Sequence, residues 1–157
     1  MSSVDSTPMV PGGQRRTPEL VKVTVYHNDE ARFMPYEDGQ LLVAVTCHWL
    51  EAPAGNDPAA IAEWAYHAFN ADLDFLEPGR AAGGGETTFL AACVYRLLGY
   101  RSLSVGDVVL IETGQHSRWL ACDSFGWRPI PEPSNVSGEP LTAAKIYQHL
   151  TNQRTTR

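Results

Sequence analysis

Little in this sequence points to chemistry, and each absence removes a class of function. The three cysteines, Cys47, Cys93 and Cys122, are an odd number at wide, irregular spacing, so they build no disulfide framework. Each sits among apolar residues, as buried reduced thiols do, which predicts a reducing compartment. No Cys-x-x-Cys or His-x-x-x-His pair is present for zinc. Of the five histidines only His48 adjoins a cysteine, Cys47, and neighbours on a strand point to opposite faces. No metal and no cofactor is therefore expected. There is no Gly-x-Ser-x-Gly elbow for a nucleophilic serine. Gly83-Gly84-Gly85 precedes a helix, but no Gly-Lys-[Ser/Thr] follows, and Glu86 opposes an anion, so the glycines read as a linker. No stretch approaches the roughly 20 apolar residues of a membrane span. Residues 1–13 hold Ser, Pro and Gly without an apolar run, so no signal peptide is expected and the predicted location is the cytoplasm.

Basic residues are also scarce. Twelve Lys and Arg stand against 18 Asp and Glu, a net charge of −6. The ends carry part of the positive charge, in Arg15, Arg16, Arg154 and Arg157, so the stretch between them is more acidic still. Such a balance repels phosphate and predicts no direct binding of nucleic acid. Between Asp29 and Glu77 ten acids accompany one base, Arg32. They read as solvated faces and helix caps; the sharper alternative is an acidic DNA mimic that blocks a DNA-processing enzyme.

What is present is an ordinary globular composition: 157 residues, 43% of them hydrophobic, enough for one domain without staples. Residues 1–17 and 152–157 offer nothing to bury and read as tails around a domain at 18–151. Val21, Val23 and Val25 alternate with Lys22 and Thr24, which predicts a half-buried strand over Leu20–Tyr26. After turns at 27–30 and Asp38-Gly39, the run Gln40–Leu50 is apolar on both faces and reads as an interior strand. Asp57-Pro58 is a helix start, and Ile61, Trp64, Ala65, Ala68 and Phe69 give a stripe that ends near Asn70. A second helix is predicted over Thr87–Leu98, with Phe89, Leu90, Cys93, Val94, Leu97 and Leu98 inward and Gly99 as its stop. Asp107–Glu112 and Arg118–Asp123 form a hairpin, and a short strand runs to Ile130. The Pro-rich stretch 129–140 reads as a loop and Thr142–Leu150 as a last helix. The order lacks βαβ regularity. The predicted fold is α+β, a small antiparallel or mixed sheet with two to three helices packed on it.

Two short blocks frame the hairpin. Arg101-Ser102-Leu103-Ser104-Val105-Gly106-Asp107-Val108-Val109 is a polar turn entering a buried strand; Asp123-Ser124-Phe125-Gly126-Trp127 closes the returning one. Ser104 and Asp107 suit bonds to backbone amides, and Gly106 suits a positive φ. Together the blocks, over residues 101–130, resemble the YodL-like domain of bacteria, phage and other mobile elements. That family has no assigned activity, so the resemblance implies an association with mobile elements and no mechanism. The combined reading is a non-enzymatic protein-binding module, an accessory or modulator from a mobile element. Its expected partner surface draws on Ser104, Asp107, Asp123, Ser124 and Trp127. Val109 and Trp119 are expected in the core, both against helices. The competing enzymatic reading pairs Cys47 or Cys122 with a histidine brought close by the fold.

Overall fold

A computed structural model of the chain describes residues 18–31, 33–53, 57–70, 76–79, 85–114 and 116–142. The predicted tails, residues 143–150 of the last predicted helix, Gly83 and Gly84, and the acids Asp72 and Asp74 lie outside them.

The elements in chain order are β1 (Pro18–His27), β2 (Leu42–Pro53), α1 (Pro58–Asn70), a 3₁₀ turn (Glu77–Gly79), α2 (Gly85–Leu97), β3 (Val108–Glu112), β4 (Ser117–Asp123), β5 (Gly126–Ile130) and β6 (Val136–Ser137). They build one six-stranded sheet in the order β5-β4-β3-β1-β2-β6. Every pairing is antiparallel except the parallel contact of β2 with β6. The α+β expectation, a mixed sheet with two helices on it, describes this architecture. The Pro-rich stretch departs from its prediction as a loop. It contains β6, because two residues of edge pairing need main-chain groups alone and leave no side-chain period to read, whereas the predicted strand to Ile130 is β5.

The start of α1 and the end of α2 follow local chemistry. Asp57 Oδ1 accepts the amide of Ala59 at 3.2 Å, satisfying a free donor in the first turn of α1. At the end of α2, Gly99 takes φ 78°, and the amides of Gly99 and Tyr100 return to Arg96 O and Tyr95 O. Those two bonds are a Schellman motif, which needs a left-handed residue at that place.

One sheet face carries the helices. Val21, Val23 and Val25 of β1, Val45 of β2, Val109 and Ile111 of β3 and Leu120 of β4 meet Ile61, Ala62, Ala65, Ala68 and Phe69 of α1 and Ala91 and Tyr95 of α2. Trp64 Nε1 joins the helices by donating to Thr88 Oγ1 at 2.9 Å. The inward stripe of α2 differs from the predicted one. Ala91, Ala92 and Tyr95 are buried, whereas Leu90 and Leu97 are more than half exposed. Small alanines let the helix lie close to the sheet, and the Tyr95 hydroxyl finds two partners inside, so a polar aromatic takes the place expected of leucine.

The other face holds a smaller cluster of Tyr36, Leu42, Val108 and Ala121, with Tyr26, Trp119 and Ile130 packed on it. Trp119 therefore lies away from the helices, against Tyr26 at 5.2 Å between ring centres. Its register explains the correction. Trp119 pairs with Leu110, one step from the helix-facing Val109–Leu120 pair, and alternate strand residues face opposite ways. Val109 is fully buried against the helices as predicted.

The β5 edge resists pairing with another strand. The amide and carbonyl of Cys122 both face the start of β3, bonding Asp107 O and Gly106 N. Its partner Trp127 therefore turns its own main-chain groups outward, and so does Pro129 two residues on. Proline has no N–H to offer there, a device that blunts edges.

His48 on β2 points into the helix-side core between Trp64 and Phe69, and its Nε2 has no hydrogen-bond partner among the described residues. Burial disfavours the imidazolium and lowers its pKa from 6.5 to about 4. The unfolded chain then binds a proton that the folded one refuses between those values. The His48 contribution is complete above pH 6.5, declines as pH falls from 6.5 to about 4, and declines no further below that. The limiting loss is about 3 kcal/mol. Urea unfolding of His48→Phe against the parent at pH 7 and near pH 4.5 measures this; the variant's advantage must grow at the lower pH.

Candidate functional site

The strand directions bring three connections to one end of the sheet. β1 finishes at His27, β3 starts beside it at Val108, which lies next to the Tyr26 position, and β4 finishes at Asp123. The β1–β2 loop over 28–41, the turn at 101–107 and the β4–β5 turn at Ser124-Phe125 therefore share this end.

A buried carboxylate joins the first two. Asp107 is 1% exposed and accepts four bonds. Its Oδ1 takes the Asn28 amide and an Arg101 nitrogen, each at 2.8 Å. Its Oδ2 takes the Ser104 amide at 2.8 Å and the other Arg101 nitrogen at 2.7 Å. Arg101 meets it with both terminal nitrogens, the two-pronged geometry that a guanidinium offers a carboxylate. The same guanidinium reaches Asn28 O at 3.3 Å and Asp29 Oδ1 at 3.1 Å. Asn28, fully buried, carries the order onward. Its Oδ1 accepts the amides of Glu30 and Ala31, and its Nδ2 donates to Gln40.

Other bonds tie this end to the helices. Tyr95 donates its single proton to Arg101 O at 2.8 Å, so His27 Nε2, 2.7 Å from the same hydroxyl, is the donor between them. Asn70, the last residue of α1, exchanges two bonds with the backbone of Leu103, at 2.7 and 2.9 Å. Gly106 closes the arrangement. It takes φ 98°, and a Cβ there would sit 2.5 Å from Met34 O. Phe33 N bonds Val105 O at 3.1 Å, and Gly106 N bonds Cys122 O at 2.9 Å, so the three connections are in register with one another.

On this rigid support stand three large apolar side chains. Phe125, in the β4–β5 turn, is 100% exposed; Phe33 and Met34, in the β1–β2 loop, are 63% and 61% exposed. Phe33 also adopts φ 70°. For an L-residue that conformation costs about 1–2 kcal/mol, and a bulky residue is rarely found in it. Strain and exposure at the same residue mark the loop as shaped for something other than stability.

Of the residues expected to form a partner surface, Ser104, Asp107, Asp123 and Ser124 come together at this end. Asp107 is buried and all its acceptors are directed inward, so it supports the surface and is not part of it. Asp123 is partly exposed and holds Arg128 Nε at 2.9 Å, and Arg128 also donates to Tyr36 O at 2.8 Å. Ser124 is exposed. Trp127 turns toward α1 and packs on the helix-side core, edge-on to Tyr66. Sequence reasoning missed Phe33, Met34 and Phe125. Their signal was there: large apolar residues between two predicted turns or in the predicted bend at 125–127, at positions that no period assigns to a core.

Cys47 and Cys122 show no activation. Burial, with Asp107, Asp123 and Glu63 nearby, pushes the Cys122 thiol up to about 12. Burial also raises Cys47. A nucleophilic thiol needs the opposite shift. Among the described residues, no group of three or more His, Cys, Asp and Glu side chains could hold a metal ion, and no helix is long and apolar enough to cross a membrane. The described acids of the 29–77 stretch do not gather in one place. Asp29, Glu30, Glu37 and Asp38 lie at the end described here, whereas Glu51 lies near the far end of β2, about 25 Å away at 3.3 Å per residue. No family model, curated protein or solved structure matches the chain.

Two outcomes follow from this geometry. Asp107→Ala leaves Arg101 without its buried partner and should destabilise the domain by about 3–5 kcal/mol in urea titration. Native alkylation with iodoacetamide at neutral pH, followed by mass spectrometry, should modify Cys93 well before Cys47 or Cys122, which react only on unfolding; fast labelling of either buried thiol would revive the Cys/His reading.

Proposed function

We propose that this domain is a non-enzymatic protein-binding module, and that the loop end of the sheet is its binding surface. One observation carries the reading: Phe33, Met34 and Phe125 are held out in solvent on connections that a buried ion pair and main-chain hydrogen bonds keep in place. Exposed aromatics on a preorganised support are how interfaces concentrate affinity, because little ordering is left to do on binding. The main-chain bonds that link the loops also favour this end over the exposed leucines of α2, which lie on one helix with no comparable device among the described residues. The likeness of residues 101–130 to the YodL-like domain adds a role as an accessory or modulator from a mobile element, located in the cytoplasm. It names no partner.

The test uses two conservative removals. Phe125→Ser takes away a side chain that is fully exposed, and Phe33→Asn keeps a residue tolerant of positive φ. Affinity purification of the full chain from its host, with mass spectrometry, should recover a stoichiometric protein. Each variant should weaken that complex roughly thirtyfold, the equivalent of about 2 kcal/mol for a central aromatic, with unchanged melting. A complex indifferent to both variants, or a retained small molecule in place of a protein, refutes the proposal.

A further inference from the structure

We infer that the partner presents an apolar pocket rimmed by lysine and arginine; this rests on the binding surface proposed above. The inference comes from the charges that surround the three apolar side chains. By sequence, these connections with Asp123 and β5 hold six acids, Asp29, Glu30, Glu37, Asp38, Asp107 and Asp123, and three bases, Arg32, Arg101 and Arg128, a net charge of −3. Two of the bases are already engaged. Arg101 is bound to Asp107 and Asp29, and Arg128 to Asp123. Two of the acids, Glu30 and Asp38, are also fixed in position. Glu30 Oε2 accepts the amide of Leu41 at 3.0 Å, and Asp38 Oδ1 accepts from Tyr36 and from both the amide and hydroxyl of Ser134. Glu37, Asp38 and Glu30 remain exposed at the rim.

An apolar centre inside an acidic rim selects for its complement. A basic rim on the partner steers encounter, fixes orientation and leaves Phe33, Met34 and Phe125 for the dry middle. The same rim repels anionic headgroups and nucleic-acid phosphate, which sets a protein above a membrane as the occupant of these exposed loops.

A random peptide display library panned on the immobilised full chain supplies the probe. Enriched peptides, synthesised and titrated into the ¹⁵N-labelled protein, are followed by amide shifts. The expected peptides carry large apolar residues flanked by Lys or Arg, and they move amides at 29–38, 104–107 and 123–126. Their affinity should drop about tenfold or more between roughly 50 and 500 mM NaCl. It should fall about threefold or more in Glu37→Lys, collapse in Phe125→Ser, and survive Trp49→Ser, which alters an exposed tryptophan on β2. Neutral or acidic peptides that bind this end and depend on Phe125 overturn the basic partner and leave the binding surface standing. Peptides that shift the exposed Leu90–Leu97 side of α2, or that ignore Phe125→Ser, overturn both. So does the absence of any enriched peptide, or an equal shift of the same amides by phosphatidylcholine vesicles.

Discussion

The carboxylate of Asp107 is the point on which the loop end depends. It is surrounded by two main-chain amides and a forked guanidinium, so its charge is satisfied where water does not reach. The donors come from two connections: Asn28 from the exit of β1, Arg101 and Ser104 from the chain between α2 and β3. One residue thereby fixes the two connections relative to each other. A buried pair of this kind adds little net stability compared with apolar packing, but breaking it leaves a stranded charge, so the alternatives to this arrangement are strongly disfavoured. What the pair specifies here is the path of irregular chain, which no ladder of strand bonds could specify.

The rest of the end follows from that fixed path. With Arg101 held, its carbonyl stands where Tyr95 can reach it, and the buried hydroxyl then also satisfies His27. With the 104–107 turn held, Gly106 can lie under the β1–β2 loop so closely that no side chain fits. The loop in turn holds an unfavourable conformation at Phe33, whose amide is tied to Val105 O and is followed by the Met34 amide bonded to Ala31 O. Rigidity made in the interior is thus expressed at the surface, in exposed apolar groups that do not fold back onto the core. This is the link from packing to the proposed binding: an interface made of loops needs its ordering done beforehand.

The two faces of the sheet divide stability from display. The helix side is closed by small residues on both helices, which let the layers approach, and by an aromatic run from Trp64 through His48 and Phe69 to Tyr95 and Tyr100. The opposite face is covered partly by Tyr36 and Ile130 and keeps a smaller cluster. Trp119 and Trp127, close in sequence, serve different faces because an odd step in strand register separates them.

By itself the sequence determined the elements that local chemistry governs. The alternation at Val21, Val23 and Val25, the Asp57-Pro58 start, the Gly99 stop and the hairpin of β3 and β4 were all legible, since each depends on residues a few positions apart. It also marked Ser104, Gly106, Asp107 and Asp123 as turn formers, although not which of them faces solvent. Only the tertiary structure decided that Asp107 is interior, because its donors Asn28 and Arg101 are respectively 79 and 6 residues away and nothing local announces the first. The tertiary structure likewise chose Tyr95 over Leu90 and Leu97 as the inward residue of α2. Helical periodicity ranks side chains by hydrophobicity, whereas burial in a folded chain also depends on whether a hydroxyl finds its partners, and those partners come from β1 and from the chain beyond the helix.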